Sequence, residues 1–537
     1  MKSRLKLILL SALSGLLLAL AWSSLGLGLV LLIAFFPLLY VEDYISKNSD
    51  RLSSVNSFYY SYITFLVWNV TATWWIYNST DWGAIMAFIL NSAFYSTIFW
   101  LIHIFKRNYG YKIAYFAFVI IWLAWEYIYI HGEISWVWLV LGNGFAQNHK
   151  LIQWYEYTGS LGGSLWVLTV NVLFFVIVKH IVKYKTLYGQ FTNIIILAII
   201  ILFPIIFSRY LYNSYNEQEN PVNVVVVQPN VDPYNEKFSG LSPAQQLERF
   251  LQLADSLTDD STDFIVGPET ALEGNIWEND LKASPLINRL IEFSKKHNNV
   301  AIVIGATTRY FYEKPEKPSP TARKYRNTDD YYDVYNTALQ ISGDDIQLYH
   351  KSKLVIGVEM FPYPEYLKFL DKIAINLGGT TGSLGTQKNR TGFTNKRNKA
   401  VVGPVICYES IYGEFVTGYI NAGANCLFVI TNDGWWGDTP GYVQHLSYSR
   451  LRAIETRRDI ARSANTGISC FVNQRGDISS ATKYWEKDVI KNKININNTK
   501  TFYVKYGDYI GRSAFFFSLL LIAMLVSSQA YSFRTKF

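Results

Sequence analysis

Cysteine is scarce: 537 residues hold three, an odd number that cannot all pair. Cys426 and Cys470 sit inside apolar strand-like runs and read as core thiols, with a disulfide between those two left open. Charge is also sparse. Charged residues make up 17% of the chain, the net charge of +8 is modest, and lysine and arginine are not gathered into a stripe of the kind that grips nucleic acid. The chain is rich in apolar residues, at 50%, and in aromatics, at 16%. That mixture suggests a membrane protein carrying a soluble domain, and its basic balance reads as membrane topology.

Residues 5–22 and 25–41 are nearly free of charge, each run close to the length that crosses a bilayer. Further spans are expected over 58–77, 84–105, 113–130, 163–182, 194–207 and, after a long polar stretch, 513–530, which makes eight. The N-terminal Met1-Lys2-Ser3-Arg4-Leu5-Lys6 imitates a signal peptide, but a second apolar span follows almost at once, so a retained first helix is expected. Lys2, Arg4, Lys6, Lys47, Arg51, Lys106, Arg107, Lys112, Lys179, Lys183, Lys185, Arg534 and Lys536 all fall on one side of such a bundle. By the positive-inside rule that side is the cytoplasm, which puts the large polar region on the other side. The loop over 134–161 is rich in tryptophan and glycine and reads as an aromatic belt at the interface; Glu126, inside the fifth span, should face protein or water.

From 221 to 505 the pattern changes to short β-branched runs between polar turns, clearest at 222–227, 264–266, 300–304, 336–342, 401–406 and 427–431. Several are apolar on both faces, so they must be covered on both sides, which argues a layered α/β domain. Residues 314–330 and 377–399 read as loops.

One of these runs ends in Gly403-Pro404-Val405-Ile406-Cys407-Tyr408-Glu409-Ser410. A rigid strand that delivers a thiol to its exposed end suits a nucleophile, although free cysteine more often packs a core. A second run, Phe264-Ile265-Val266-Gly267-Pro268-Glu269-Thr270, presents a carboxylate, and a third, Tyr349-His350-Lys351-Ser352-Lys353, presents an ammonium. Taken singly, Glu269 is a turn carboxylate and Lys351 a solvated charge. Together they offer a base for the thiol proton and a cation for thiolate and oxyanion.

In chain order, Gly-Pro-Glu, Tyr-x-Lys and Cys-Tyr-Glu resemble the nitrilase superfamily, with its Glu-Lys-Cys triad. Beyond the cysteine, Thr431-Asn432-Asp433-Gly434-Trp435-Trp436-Gly437, Gln444-His445, Arg452-Ala453-Ile454-Glu455 and Arg462-Ser463-Ala464-Asn465-Thr466-Gly467 look like its membrane-bound branch, the apolipoprotein N-acyltransferases. The resemblance implies an αββα sandwich at 221–505, between a seven-helix region at 1–210 and a last membrane helix at 513–530. It implies Glu269, Lys351 and Cys407 as catalytic, Glu359, Tyr408 and Glu409 as supporting, and Phe238 and Trp435 as lipid or substrate contacts. It implies no metal and no cofactor. The expected activity moves an acyl chain from a phospholipid, through a thioester on Cys407, to the α-amino group of a diacylglyceryl-modified N-terminal cysteine on an apolipoprotein. The expected place is the inner membrane, with the catalytic domain periplasmic. A membrane-anchored amide hydrolase is the alternative. Two departures stand out: Ile356-Gly357-Val358 replaces the family's Pro-Phe-Gly before Glu359, and Phe238 stands where many members have tryptophan.

Overall fold

Away from water a backbone can satisfy its own polar groups only as helix or closed barrel, and the uncharged runs of this chain are helical. The computed structural model describes residues 2–237, 240–360 and 383–534. It divides into a helical unit, which includes Asp81–Ser214, and a sheet-containing unit made of Asn78–Thr80 and Tyr215–Lys505. Among the described residues, six helical stretches are long and apolar enough to cross a membrane: Ser3–Leu20, Gly28–Lys47, Asp81–His131, Tyr155–Tyr184, Phe191–Ser214 and Tyr509–Ser528. Asp81–His131 contains two expected spans, parted at Gly110, whose φ of 79° interrupts the helix. Val55–Thr73 supplies a further one. All eight expected spans therefore fall on helices.

Breaks in these helices are met by side chains. Near Phe35 the second span is interrupted, and Asn171 bridges the gap, accepting from Phe35 N–H at 2.9 Å and donating to Leu31 O at 2.7 Å. Pro204 has no N–H for the carbonyl of Ile200, four residues back; Trp166 Nε1–H donates to that carbonyl instead, at 2.7 Å. Glu126 is fully buried and accepts from Leu141 N–H (2.9 Å) and Trp122 Nε1–H (3.1 Å), so it pins the 134–161 loop. That loop is no exposed belt: Trp138 is buried and lies 4.8 Å from the Trp75 ring, because inward packing removes more of its surface from solvent than an interface would. Lys47, Lys106 and Lys179, placed on one side by sequence, all reach Asp43, at 2.8, 3.0 and 2.6 Å. Their helix ends therefore share a side.

In the other unit, one sheet runs in the order Asp488–Asn495, Pro221–Gln228, Phe264–Val266, Ala301–Phe311, Tyr331–Ser342, Arg323–Lys324, with Leu272–Trp277 and Asp345–His350 paired off that path. The second runs Ile478–Ser479, Cys470–Val472, Ile460–Ala464, Cys426–Thr431, Val401–Ile406, Phe393–Thr394. Strand alternation explains the layering. Val225, Val227, Ile265, Ile302 and Ile304 pack with Leu247, Phe250 and Leu290 of the helices Pro243–Leu257 and Pro285–Lys296. The intervening residues face the other way, where Phe264 meets Phe428 of the second sheet edge to face at 5.2 Å. Tyr419, on the helix Gly413–Asn421, closes over Gly403 on that sheet's far side. The result is an αββα sandwich. Cys426 and Cys470 are free: Ile460–Ala464 lies between their strands, which keeps the sulfurs too far apart to bond.

Candidate active site

Each of the three candidate side chains leaves the end of a strand. Glu269 follows Phe264–Val266 in a tight turn tied by Gly305 N–H to Pro268 O (3.0 Å). The turn lies against Gly305, where an added Cβ would sit 2.6 Å from Glu269 Cα, so glycine is required there. Thr270 holds a left-handed φ of 46°, and its hydroxyl accepts from the buried ammonium of Lys237. Lys351 follows Asp345–His350, and Cys407 follows Val401–Ile406.

The carboxylates and the ammonium form a closed ring. Lys351 Nζ donates to Glu269 Oε1 at 2.8 Å and to Glu359 Oε1 at 2.9 Å. Asn336 Nδ2 donates to the same two oxygens, at 2.8 and 2.9 Å. Glu359 is fixed further by Val355 N–H on Oε2 (2.8 Å), so the departures before it leave the carboxylate directed at Lys351. Burial alone would raise the Glu269 carboxyl, but Lys351 and then Asn336 outweigh it and hold it below the ordinary carboxylate range. Burial likewise works against the Lys351 ammonium, and Glu269 and Glu359 overcome it, holding it well above its usual value.

Cys407 is half-buried and adopts a φ of 47°, a left-handed conformation that costs a non-glycine residue on the order of 1–3 kcal/mol unless its surroundings impose it. Here they do. Ser410 Oγ–H donates to Cys407 O at 2.7 Å, and His445 Nε2 lies 3.2 Å from the same oxygen. His445 is held in turn by Asp433, with Nδ1 to Oδ1 at 2.8 Å, and Arg462 donates to the other oxygen of Asp433 at 2.6 Å. Burial would raise the Asp433 carboxyl; Arg462 and His445 reverse this and hold it well below the ordinary range. The thiol itself is pushed up, by burial first and Glu269 next, with Lys351 opposing. At neutral pH the resting sulfur is therefore protonated and needs a base.

Glu409, two residues on, accepts four hydrogen bonds: Ser352 N–H (2.6 Å) and Tyr349 Oη–H (2.7 Å) on Oε1, Ile406 N–H (2.9 Å) and Tyr419 Oη–H (2.9 Å) on Oε2. It thus ties both flanks of Lys351 to the residue before Cys407, although burial pushes its carboxyl up. Glu409→Gln puts an NH2 group against two of these donors. We expect a loss of roughly 2–3 kcal/mol of stability and a slower alkylation of Cys407 by iodoacetamide, read by thermal melting and by mass. An unchanged alkylation rate would separate Glu409 from the thiol's placement.

Glu269, Lys351, Glu359 and Cys407 line one cleft of about 190 Å³, with Lys237, Asn336, Asn432, Trp435 and Trp436 on its walls. Tyr408 is buried and packs its ring on Tyr412 at 5.3 Å. Phe238 lies outside the described residues. Sequence reasoning gave no role to Asn336, Lys237, Asp433, His445 or Arg462. For Asn336 the available signal was Asn336-Thr337, a polar pair heading an apolar strand.

Residues 224–503 match the carbon-nitrogen hydrolase family model, and residues 14–173 match the apolipoprotein N-acyltransferase N-terminal domain. The chain is 29% identical to an apolipoprotein N-acyltransferase from Chlorobaculum tepidum, over 93% of this chain and 92% of that one. It is 26% identical to one from Geobacter metallireducens, over 98% and 95%. A solved nitrilase-superfamily protein from Saccharomyces cerevisiae is similar at 15% identity and a TM-score of 0.35, covering 51% of this chain and 90% of that one.

Proposed function

Because the chain belongs to the carbon-nitrogen hydrolase family, in its apolipoprotein N-acyltransferase branch, we propose that it moves a fatty acyl chain from a phospholipid to the α-amino group of a lipid-modified N-terminal cysteine. The observation that carries the chemistry is one cleft in which a thiol faces a buried ammonium shared by two carboxylates. In the first half-reaction Cys407 sulfur bonds to the ester carbonyl carbon as its proton passes to Glu269, and the carbonyl electron pair moves onto oxygen. The tetrahedral intermediate collapses to a thioester on Cys407. The leaving alkoxide takes the proton from Glu269 and departs as lysophospholipid. In the second half-reaction the amine nitrogen attacks the thioester, Glu269 accepts the amine proton, and the thiol is restored. Lys351 and the N–H of Tyr408 supply positive charge to the oxyanion in both steps.

Glu269 must be ionised to accept the thiol proton. Since its carboxyl is held low, the acid limb of the pH–rate profile is expected below the ordinary carboxylate pKa of 4.5.

Three lysines from separate helix ends meet at Asp43, which supports a single-sided cationic face. With the positive-inside rule, that face is the cytoplasmic side of the inner membrane and the sheet-containing unit is periplasmic. The alternative, amide hydrolysis, shares the first half-reaction but gives no purpose to eight apolar spans. The deciding measurement uses membranes holding the protein, labelled phospholipid and a diacylated lipopeptide. Amide-linked label on the peptide is the expected result; free fatty acid alone would favour the hydrolase. Reporter fusions near Lys185 and Asn275 should report opposite sides of the membrane.

A further inference from the structure

Beside Cys407 lies an amide whose orientation can be worked out from its neighbours. Asn465 is locked by Val231: its Oδ1 accepts from Val231 N–H at 2.9 Å, and its Nδ2 donates to Val231 O at 2.7 Å. An amide bonded to a backbone N–H by one atom and to a C=O by the other has only one sensible assignment. The same Nδ2 of Asn465 also points at Asn432, 3.3 Å away, so the atom it meets must be the acceptor Oδ1. The Nδ2 of Asn432 is thereby turned away from Asn465. It is buried, and among the described residues it has no hydrogen-bond partner. A buried donor left unmet is destabilising, and Asn432 forms part of the wall of the cleft that holds Cys407.

The strand register places this donor. Ile430 pairs with Ile406 in parallel, so Thr431 comes alongside Cys407, and Asn432 follows directly. We propose that Asn432 Nδ2 is a hydrogen-bond donor to the substrate carbonyl oxygen, acting with Lys351 and the Tyr408 N–H on the oxyanion formed when Cys407 attacks. The proposal deepens the function above and rests on it only for the identity of the ester. The need for a donor is the same for any acyl group bound to Cys407. Its two supports are the orientation set by Asn465 and the cleft shared with Cys407. A donor at this place lowers the barrier to both thioester formation and thioester discharge, since each passes through an oxyanion at the same carbon.

The test separates oxyanion stabilisation from thiol reactivity. Full-length wild type and Asn432→Leu are given a short p-nitrophenyl ester, which acylates Cys407 with release of p-nitrophenolate, and in parallel iodoacetamide, which alkylates it with no oxyanion. The expected result is a fall of about 10²–10³-fold in the acylation rate, with alkylation unchanged and KM changed little. Asn432→Asp, which removes the donor at nearly constant shape, should fall as far. Acylation that survives in Asn432→Leu overturns the assignment. Acylation and alkylation that fall together also overturn it, because Asn432 then supports the thiol and not the oxyanion. If Asn432→Leu melts early, Asn432→Asp decides by the same two rates. A wild type that reacts with the p-nitrophenyl ester but not with phospholipid would sink the phospholipid reading while leaving the role of Asn432 to be decided by the variants.

Discussion

Enzyme incubated with phospholipid alone is expected to gain one acyl chain on Cys407, and lipopeptide added afterwards is expected to remove it. Cys407→Ser should gain none and should lose transfer to background. The geometry makes the effect this large. The thiol is already pushed up by burial and by Glu269, so the site manages its deprotonation narrowly. A serine hydroxyl lies several pKa units higher and would ask Glu269, held low by Lys351, for a transfer it cannot make. Two half-reactions through one covalent species imply ping-pong kinetics. Intact-mass and peptide mass spectrometry locate the adduct. A chain found on Cys426 or Cys470 would remove Cys407 from the mechanism; both are buried in strands and pushed up by burial, so neither is expected to react. Transfer without any adduct would favour direct passage within a ternary complex.

Lys351→Met is the second large effect, and it acts on stability as well as rate. Activity should fall to background, because the oxyanion and the thiolate lose the same cation. Sequence alone would leave the fold untouched by this change. The structure says otherwise, since a methionine in place of Lys351 would strand the buried Glu269 and the half-buried Glu359 with only Asn336 between them. Breaking one side of a buried ion pair costs roughly 3 kcal/mol or more, which for a domain of this size lowers Tm by roughly 6–12 °C. The pH dependence distinguishes this cause from lost packing. In the wild type Glu269 is held low, so its contribution is present above the unfolded-state value of about 4.3 and is lost as pH falls through the folded value. The variant lacks that contribution, and its stranded Glu269 is relieved by protonation. The gap in Tm between the two should therefore narrow as pH falls through the carboxylate range. A gap constant with pH would point to packing. Lys353→Met should change little, because its ammonium sits over the Tyr412 ring at 4.8 Å and takes no part in the ring of charges.

The contrast between Lys351 and Lys353 shows where sequence reading stops. Both lie on one short segment, and the Tyr-x-Lys resemblance chose between them. Only the structure shows that one meets two carboxylates and the other an aromatic face. For Glu409 the sequence offered a supporting role, through the resemblance, and no partner. The four donors to it come from residues as far as 60 positions away, and no periodicity encodes such a meeting. The tryptophans of the 134–161 loop misled for a related reason. Composition states that an aromatic has an apolar body and a polar edge, and only the packing of Trp75 against Trp138 states that the site is interior.

By itself the sequence determined that this chain has eight apolar spans and a layered α/β region, because both follow from local rules. An uncharged run of bilayer length can be satisfied only as helix, and a β-branched run apolar on both faces must be covered on both. It also determined the order of carboxylate, ammonium and thiol, each carried at the end of its own strand. Tertiary structure alone decided that Glu269 and Lys351, 82 residues apart, share a hydrogen bond, that Asn336 closes their ring, and that Asn432 turns its donor away from Asn465. Those facts depend on strand order and register between sheets. They are fixed by which buried polar groups can satisfy one another at a distance, a constraint that acts on the folded chain as a whole and leaves no repeat in the sequence.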